Sequence, residues 1–371
     1  MKRKKRSVSK NAPHPAAVSL LHWYKENKRD LPWRQTGNPY KIWLSEVILQ
    51  QTRVEQGLPY YERFVERFPD VKSLAQAQME EVAKLWQGLG YYTRAQNLHE
   101  AAIQVCKDFN GEFPTVYHEL MKLKGVGDYT ASAVASISAG ETVPAIDGNA
   151  YRVFSRLFVI EEPIDKPATR KIFRRVALDL MIGLPAGDFN QAVMELGARI
   201  CKPRRPDCSS CPLLAFCPSK TGKWENLPVK SKKKKLMEMN LHYLLFFNGD
   251  KVLMQRRGKT GLWKNLTDFP SVENPPEHRI NPDNPNFIDK IREIWGAQQG
   301  LEVFSKPEPY QWILSHALTH RRIKAEFWKI KMRGATILPS GNDYFWIHIK
   351  DAPKQALPKI MEKFFVNFAT S

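Results

Sequence analysis

Leu123-Lys124-Gly125-Val126-Gly127-Asp128-Tyr129-Thr130 lies between two segments whose apolar residues recur every three or four positions, so it joins two helices. Two glycines two positions apart let the backbone turn tightly and aim its N–H groups outward, which suits a phosphate oxygen at a helix N-terminus. An ordinary helix–helix turn would use the same pair. Further on comes Val143-Pro144-Ala145-Ile146-Asp147-Gly148-Asn149, which puts Asp147 at a loop-to-helix junction where a plain N-cap also fits.

Outward from the hairpin, the helical spacing runs from about Ala17 to Phe216. It predicts helices over Ala16–Asn27, Tyr40–Val54, Glu80–Leu89, Arg94–Phe109, Tyr129–Ala139, Asn149–Phe158 and Lys171–Met181, with Gly and Pro punctuating them. No strand signal interrupts them, so the first two hundred residues read as all-α. The pattern then changes. Pro228–Lys235 is a charged linker. Met239–Phe247, Asn248-Gly249-Asp250 and Lys251–Gln255 spell a β-hairpin with an Asn-Gly turn. Glu326–Met332 and Tyr344–Ile349 read as strands, 286–299 and 353–368 as helices, and 273–286 as a long loop, which makes the C-terminal part α+β. The expected domains are a basic disordered tail over 1–16, a helical domain over 17–222, a basic linker over 223–236 and an α+β domain over 237–371.

The 371 residues carry 57 basic and 38 acidic side chains, a net charge of +19. Two runs, Lys2–Arg6 and Lys230 with Lys232–Lys235, hold about half of the excess and on their own read as solvated tails. The remainder favours a polyanion as partner, with nucleic acid first. The longest apolar stretch of the C-terminal half, Leu241–Phe247, is too short to span a bilayer, and no apolar segment follows the basic N-terminus. A cytoplasmic chain with no membrane partner, acting as a monomer, is the expectation. Four of the five cysteines, Cys201, Cys208, Cys211 and Cys217, crowd into one proline-stiffened loop as C-x6-C-x2-C-x5-C. That points to a metal group; by spacing alone, zinc and iron–sulfur fit equally well. Cys106 sits at an apolar helical position and reads as core.

The cysteine spacing resembles the [4Fe–4S] loop shared by endonuclease III and the MutY adenine glycosylases. The two-glycine turn followed by Asp147 resembles the helix-hairpin-helix and aspartate of the same superfamily. The resemblance covers roughly residues 17–222. It implies a [4Fe–4S] cluster on the four cysteines that is not the catalyst, with Lys202, Arg204 and Arg205 presented to phosphate. It implies further that Gly125 and Gly127 bind the DNA backbone and that Asp147 faces C1′ of the target nucleotide.

Two residues narrow the chemistry. Superfamily members that also cut the strand carry a lysine shortly after the hairpin; here that position is Tyr129, and a phenol cannot form a Schiff base. Glu46 has Ile42, Trp43 and Leu49 as helical neighbours, so poor solvation should raise its pKa toward that of a working general acid. A boundary glutamate on an amphipathic helix is the plain alternative. Leu31-Pro32-Trp33-Arg34, Trp43–Thr52 and Gln87–Tyr92 resemble the MutY signature. That resemblance implies removal of adenine mispaired with 8-oxoguanine or guanine in duplex DNA. Glu46 would protonate N7 of the extruded base, and Asp147 would stabilise the oxocarbenium-like sugar, assisted by Tyr129 and Asn149. Arg29, Arg34 and Gln191 would surround the flipped base, Leu49 would be an apolar wedge, and Gln51 and Tyr91 would enter the duplex.

The C-terminal part resembles the MutT-like (Nudix) domain that MutY proteins use to read 8-oxoguanine. Where a Nudix hydrolase needs a glutamate pair for Mg²⁺, this chain has Gly296, Ala297 and Gln298, which opposes hydrolysis of nucleotides. Where the family often has Phe-Ser-His, this chain has Leu318-Thr319-His320, so a hydroxyl and an imidazole remain to read the oxidised base. Two further rivals stand beside the adenine reading. A pyrimidine glycosylase with lyase activity is opposed by Tyr129, and a non-catalytic DNA-binding protein by Glu46 and Asp147.

Overall fold

The computed structural model describes residues 12–231, 236–258, 261–264, 266–274, 307–318, 321–332 and 343–369. The chain divides into two compact units, Met1–Lys232 and Lys233–Ser371. Among the described residues of the first unit the regular structure is entirely helical. It comprises α1 (Pro15–Asn27), α2 (Pro39–Leu49), α3 (Val54–Arg67), α4 (Val71–Gln76), α5 (Met79–Trp86), α6 (Thr93–Asp108), α7 (Tyr117–Leu120), α8 (Asp128–Ala139), α9 (Gly148–Phe158), α10 (Pro167–Met181) and α11 (Ala186–Arg199), with short 3₁₀ turns.

Local chemistry sets the helix ends. Asn38 Oδ1 accepts the Lys41 N–H at 3.2 Å and Pro39 occupies the first position of α2, where its missing N–H costs nothing. The predicted Tyr40–Val54 helix instead stops at Leu49, because Gln51 takes a left-handed φ of 60° and a new helix starts at Val54. Likewise Glu80–Leu89 ends at Trp86, ahead of Gly88 at φ 96°. The hairpin forms as expected, α7–turn–α8, with Gly125 at φ 72°; a side chain there would also strike Asn97, its Cβ only 2.6 Å from that of Asn97. Two of the expected irregular segments are shorter than expected. Pro15 and Ala16 belong to α1, with Ala16 buried, so the tail stops before them. Lys223–Asn226 form a 3₁₀ turn, the Val229 carbonyl accepts the Ile164 N–H at 3.0 Å, and the Ser231 N–H donates to Asp165 at 2.9 Å, which ties the first part of the expected linker to the helical unit.

Two apolar clusters fill the helical unit. One is centred on Trp43, Phe64, Phe68 and Trp86, drawn from α2 to α5. The other joins α1, α9, α10 and α11 through Leu20, Phe154, Phe173, Phe189 and Leu196. The amino- and carboxy-terminal helices of the unit thus pack on each other, and the candidate site lies where α2 and α8 from the first cluster meet α9 and α11 from the second.

The second unit is α+β. Its sheet contains β1 (Met237–Asn248), β2 (Lys251–Arg256), β3 (Thr267–Asp268), β4 (Ser271–Asn274), β5 (Glu308–Ala317), β6 (Arg321–Lys331) and β7 (Tyr344–His348), in the order β3-β2-β1-β6-β5, with β4 on β1 and β7 on β2. Every pair is antiparallel except the central β1–β6 pair, in register from Met237↔Arg321 to Phe247↔Lys331. Alternation along β1 sends Leu241, Tyr243 and Leu245 to one face, against α12 (Lys359–Ala369), and Leu244 and Phe246 to the other with Trp328. The hairpin turn is Gly249-Asp250, since Asn248 already pairs with Lys251. Glu273 and Asn274 lie in β4, so the expected loop begins later. The last helix starts at Lys359 instead of 353, after Pro358, which cannot donate within a helix. The helix expected over 286–299 and the Nudix positions Gly296, Ala297 and Gln298 lie outside the described residues. No helix among the described residues is long and apolar enough to cross a membrane.

Candidate active site

Glu46 sits in the second half of α2 with Ile42 and Trp43 buried beside it, as its helical neighbours require, and is itself only 9% exposed. Tyr129, at the start of α8, donates its hydroxyl proton to Glu46 Oε2 at 2.6 Å, and Met194 Sδ lies 3.1 Å from the same oxygen of Tyr129. Burial is the main reason that the Glu46 carboxyl is pushed up to about 7; Asp147 adds to the rise, and the Tyr129 hydrogen bond and Arg34 oppose it. Burial also drives the Tyr129 phenol well above its ordinary range, so it stays a neutral donor.

Asp147 is both the N-cap of α9 and a wall of the same cavity. Its Oδ1 accepts the Ala150 N–H at 2.7 Å and its Oδ2 accepts from Asn149 Nδ2 at 2.7 Å. Burial raises its pKa, while these donors and Arg152 work to lower it. Asn149 Oδ1 in turn accepts from Arg152 Nη2 at 2.7 Å, and Arg152 also donates to the Gly197 and Cys201 carbonyls, each at 2.7 Å. Gly197 has to be glycine: a Cβ there would stand 2.5 Å from that of Asn149.

The cavity, about 150 Å³, is lined by Arg29, Trp33, Arg34, Glu46, Leu49, Tyr129, Asp147, Asn149, Gln191 and Glu195, among others. Eight residues singled out from the sequence therefore converge on one space. Glu195 was missed. Its carboxylate is fully buried and receives Arg29 Nε and Nη2 at 2.9 Å and Arg34 Nη2 at 2.8 Å. Burial works against its ionisation, but the two guanidinium partners outweigh it and hold the group at about 2. One cavity thus contains a carboxyl that is half protonated near neutrality and another that stays ionised. Only an acidic residue interrupting the apolar α11 hinted at Glu195.

Gln51 and Tyr91 lie outside the cavity. Both adopt left-handed backbone, φ 60° and 51°, and Tyr91 is 65% exposed. Arg94 joins their turns: its Nη1 donates to the carbonyls of Val47, Ile48 and Gln50, and its guanidinium lies 5.3 Å from each of the Trp86 and Tyr91 ring centres. Gly127 is the N-cap of α8, opening that helix toward the hairpin turn at Gly125. Thr319 and His320 lie outside the described residues.

Cys201, Cys208, Cys211 and Cys217 line one cavity, and Arg156 Nη1 donates to Cys201 Sγ at 3.3 Å. Among the described residues no three His, Cys, Asp or Glu side chains stand close enough together to hold one metal ion. Four cysteines lining one cavity, with a cationic donor at one of them, are a donor set suited to a thiolate-held group. Cys106 is half-buried on α6, less enclosed than the core position expected.

A profile of the HhH-GPD superfamily base excision DNA repair proteins matches residues 44–177, and a NUDIX domain profile matches residues 242–367. An adenine DNA glycosylase of Buchnera aphidicola subsp. Schizaphis graminum is 30% identical over 361 residues, 93% of this chain and 96% of that protein. The chain belongs to the adenine DNA glycosylase family. The human adenine DNA glycosylase is 42% identical over 208 residues, 54% of this chain and 38% of its own length. The solved structure of a thermostable thymine-DNA glycosylase is 30% identical, with a TM-score of 0.51 over 54% of this chain and 93% of that one. As a member of the adenine DNA glycosylases, the chain is a base-excision repair enzyme that acts on DNA and removes adenine, with a helix-hairpin-helix domain and a Nudix-like domain.

Proposed function

We propose that the substrate is adenine opposite 8-oxoguanine or guanine in duplex DNA, and that Glu46 and Asp147 divide the chemistry between them. The observation that carries this reading is the shared cavity: a carboxyl pushed up to about 7 faces the same space as the carboxyl that caps α9. Adenine must leave the stack to reach it. Arg29, Arg34 and Gln191 then contact the extruded base. Neutral Glu46 delivers its proton to N7, so the electron pair of the breaking C1′–N9 bond leaves on a base that has already gained a proton. Asp147 lies opposite the cation that develops on the sugar, and water adds at C1′ as it gives up a proton to the ionised Glu46, which restores the acid. Tyr129 holds the Glu46 carboxyl by its hydrogen bond, and Asn149 holds Asp147. With a phenol at Tyr129 and no amine, the base departs without cleavage of the strand.

Around this centre, Gly125 and Gly127 offer N–H groups to a phosphate. Leu49 wedges into the duplex while Gln51 and Tyr91 enter beside the lesion. Thr319 and His320 read the oxidised base through a hydroxyl and an imidazole. Cys201, Cys208, Cys211 and Cys217 would hold a [4Fe–4S] cluster that serves structure and not catalysis, and Lys202, Arg204 and Arg205 on the same loop face the DNA backbone. The enzyme acts as a monomer.

Duplexes carrying A:8-oxoguanine, A:G and A:T test the reading, with alkali-revealed cleavage as the measurement. Release of adenine from the first two only is the expected result; equal release from A:T would overturn the mispair assignment. A second expectation follows from the Glu46 proton. The single-turnover rate falls about tenfold per pH unit above about 7, as Glu46 loses the proton it must donate, and falls again toward acid pH, where Asp147 takes up a proton. Tyr129→Phe removes a hydrogen bond that favours the ionised form, so its falling limb moves to higher pH. A limb that stays in place would show that this contact does not tune the acid.

A further inference from the structure

Asn190, on α11 and 2% exposed, is a buried polar residue that no step above uses. Its side-chain hydrogen bonds go to segments that carry residues of the site. Its Oδ1 accepts the Ala145 N–H at 3.0 Å, and its Nδ2 donates to the Val143 carbonyl at 2.9 Å and to Ser136 Oγ at 2.8 Å. Val143 and Ala145 belong to the segment that ends at Asp147. Ser136 lies on α8 two turns beyond Tyr129, and Asn190 itself immediately precedes Gln191. One amide therefore connects the helix that carries Tyr129, the segment that presents Asp147 and the helix that forms the cavity wall.

The packing around it makes this connection stiff. α8 and α11 approach backbone to backbone one turn earlier: a Cβ on Gly187 would stand 2.7 Å from the Ser136 carbonyl oxygen. Ala131 to Ser136 are all buried, and so are Val143 and Ala145. The Ala145 N–H and the Val143 carbonyl thus have no solvent at hand when the amide is removed, and a buried backbone group without a partner is costly enough to move the segment until it finds one. The segment is short, so a shift at Ala145 is a shift at Asp147.

We infer that Asn190 is a positioning residue for the glycosylase reaction, holding the Asp147 segment in register with Tyr129 on α8. The inference rests on the role proposed above for Asp147. Placement and folding separate cleanly in single-turnover kinetics. Partial unfolding lowers the amplitude, because fewer molecules react, and leaves the rate constant of the folded ones alone. Misplacement of a reacting group lowers the rate constant itself.

The test uses the full chain, an A:8-oxoguanine duplex in hand and enzyme in excess. Asn190→Ala is expected to lower the rate constant by about 100-fold, the scale associated with an ångström of misplacement, with the amplitude and the Kd for the duplex within about threefold of wild type. Asn190→Asp keeps the shape and the acceptor for the Ala145 N–H but sets an oxygen against the Val143 carbonyl, so it is the second variant and a similar loss is expected. A rate constant within about threefold of wild type in either folded variant, with only amplitude or Tm reduced, overturns the positioning role. Failure of the Asp147 reading looks different: Asp147→Asn would then release adenine at the wild-type rate, whatever the Asn190 variants do.

Discussion

Glu46→Gln is expected to lower the single-turnover rate of adenine release by about 10² to 10⁴-fold, the range for removal of a positioned general acid. The change is close to isosteric, and the glutamine oxygen can still accept the Tyr129 proton that Glu46 Oε2 accepts at 2.6 Å. What disappears is the dissociable proton. The carboxamide also has no alkaline titration, so the residual rate should not show the fall above about pH 7 that marks the wild type. Measured with enzyme in excess over an A:8-oxoguanine duplex, the loss should appear in the rate constant, with duplex affinity nearly unchanged. A Glu46→Gln enzyme that released adenine at close to the wild-type rate would remove this group from the chemistry.

Asp147→Asn is expected to cost about 10² to 10³-fold, the scale for losing one electrostatic contact to a charge that develops in the transition state. Folding should survive, because asparagine is as good an N-cap as aspartate and can still accept the Ala150 N–H. The second oxygen fares worse. It accepts from Asn149 Nδ2 at 2.7 Å, and an amide nitrogen in its place would face another donor. Affinity for a duplex with a cationic iminosugar at the target position should fall with the rate, since that probe carries the charge Asp147 is proposed to face. Unchanged affinity for the probe together with an unchanged rate would contradict the assignment.

Much of the candidate site could be read in the sequence because its contacts are local. Glu46 announces itself by the apolar Ile42 and Trp43 on its own helix, and Asp147 by the junction it occupies. The four cysteines need only their loop to meet around one space. What the sequence hid is contact across distance. Glu195 is a single acidic residue among apolar neighbours on α11, and its partners Arg29 and Arg34 arrive from the opposite end of the unit's sequence. Asn190 and Arg152 are invisible for the same reason: each earns its meaning from segments some forty to fifty positions away. Helix ends were misjudged where a left-handed residue that is not glycine, Gln51, breaks the pattern. Periodicity carries no warning of such a turn.

The parallel pairing of Met237–Phe247 with Arg321–Lys331 has a temporal consequence. During synthesis the helical unit can close once α11 emerges to pack on α1, whereas the centre of the sheet must wait for its second strand. Until then β1 presents an unsatisfied edge and an apolar face to the cell. Non-local pairing of this kind forms slowly. A nascent chain therefore possesses its excision machinery before its second unit has matured, and slippage or aggregation during translation should originate in the later-born sheet.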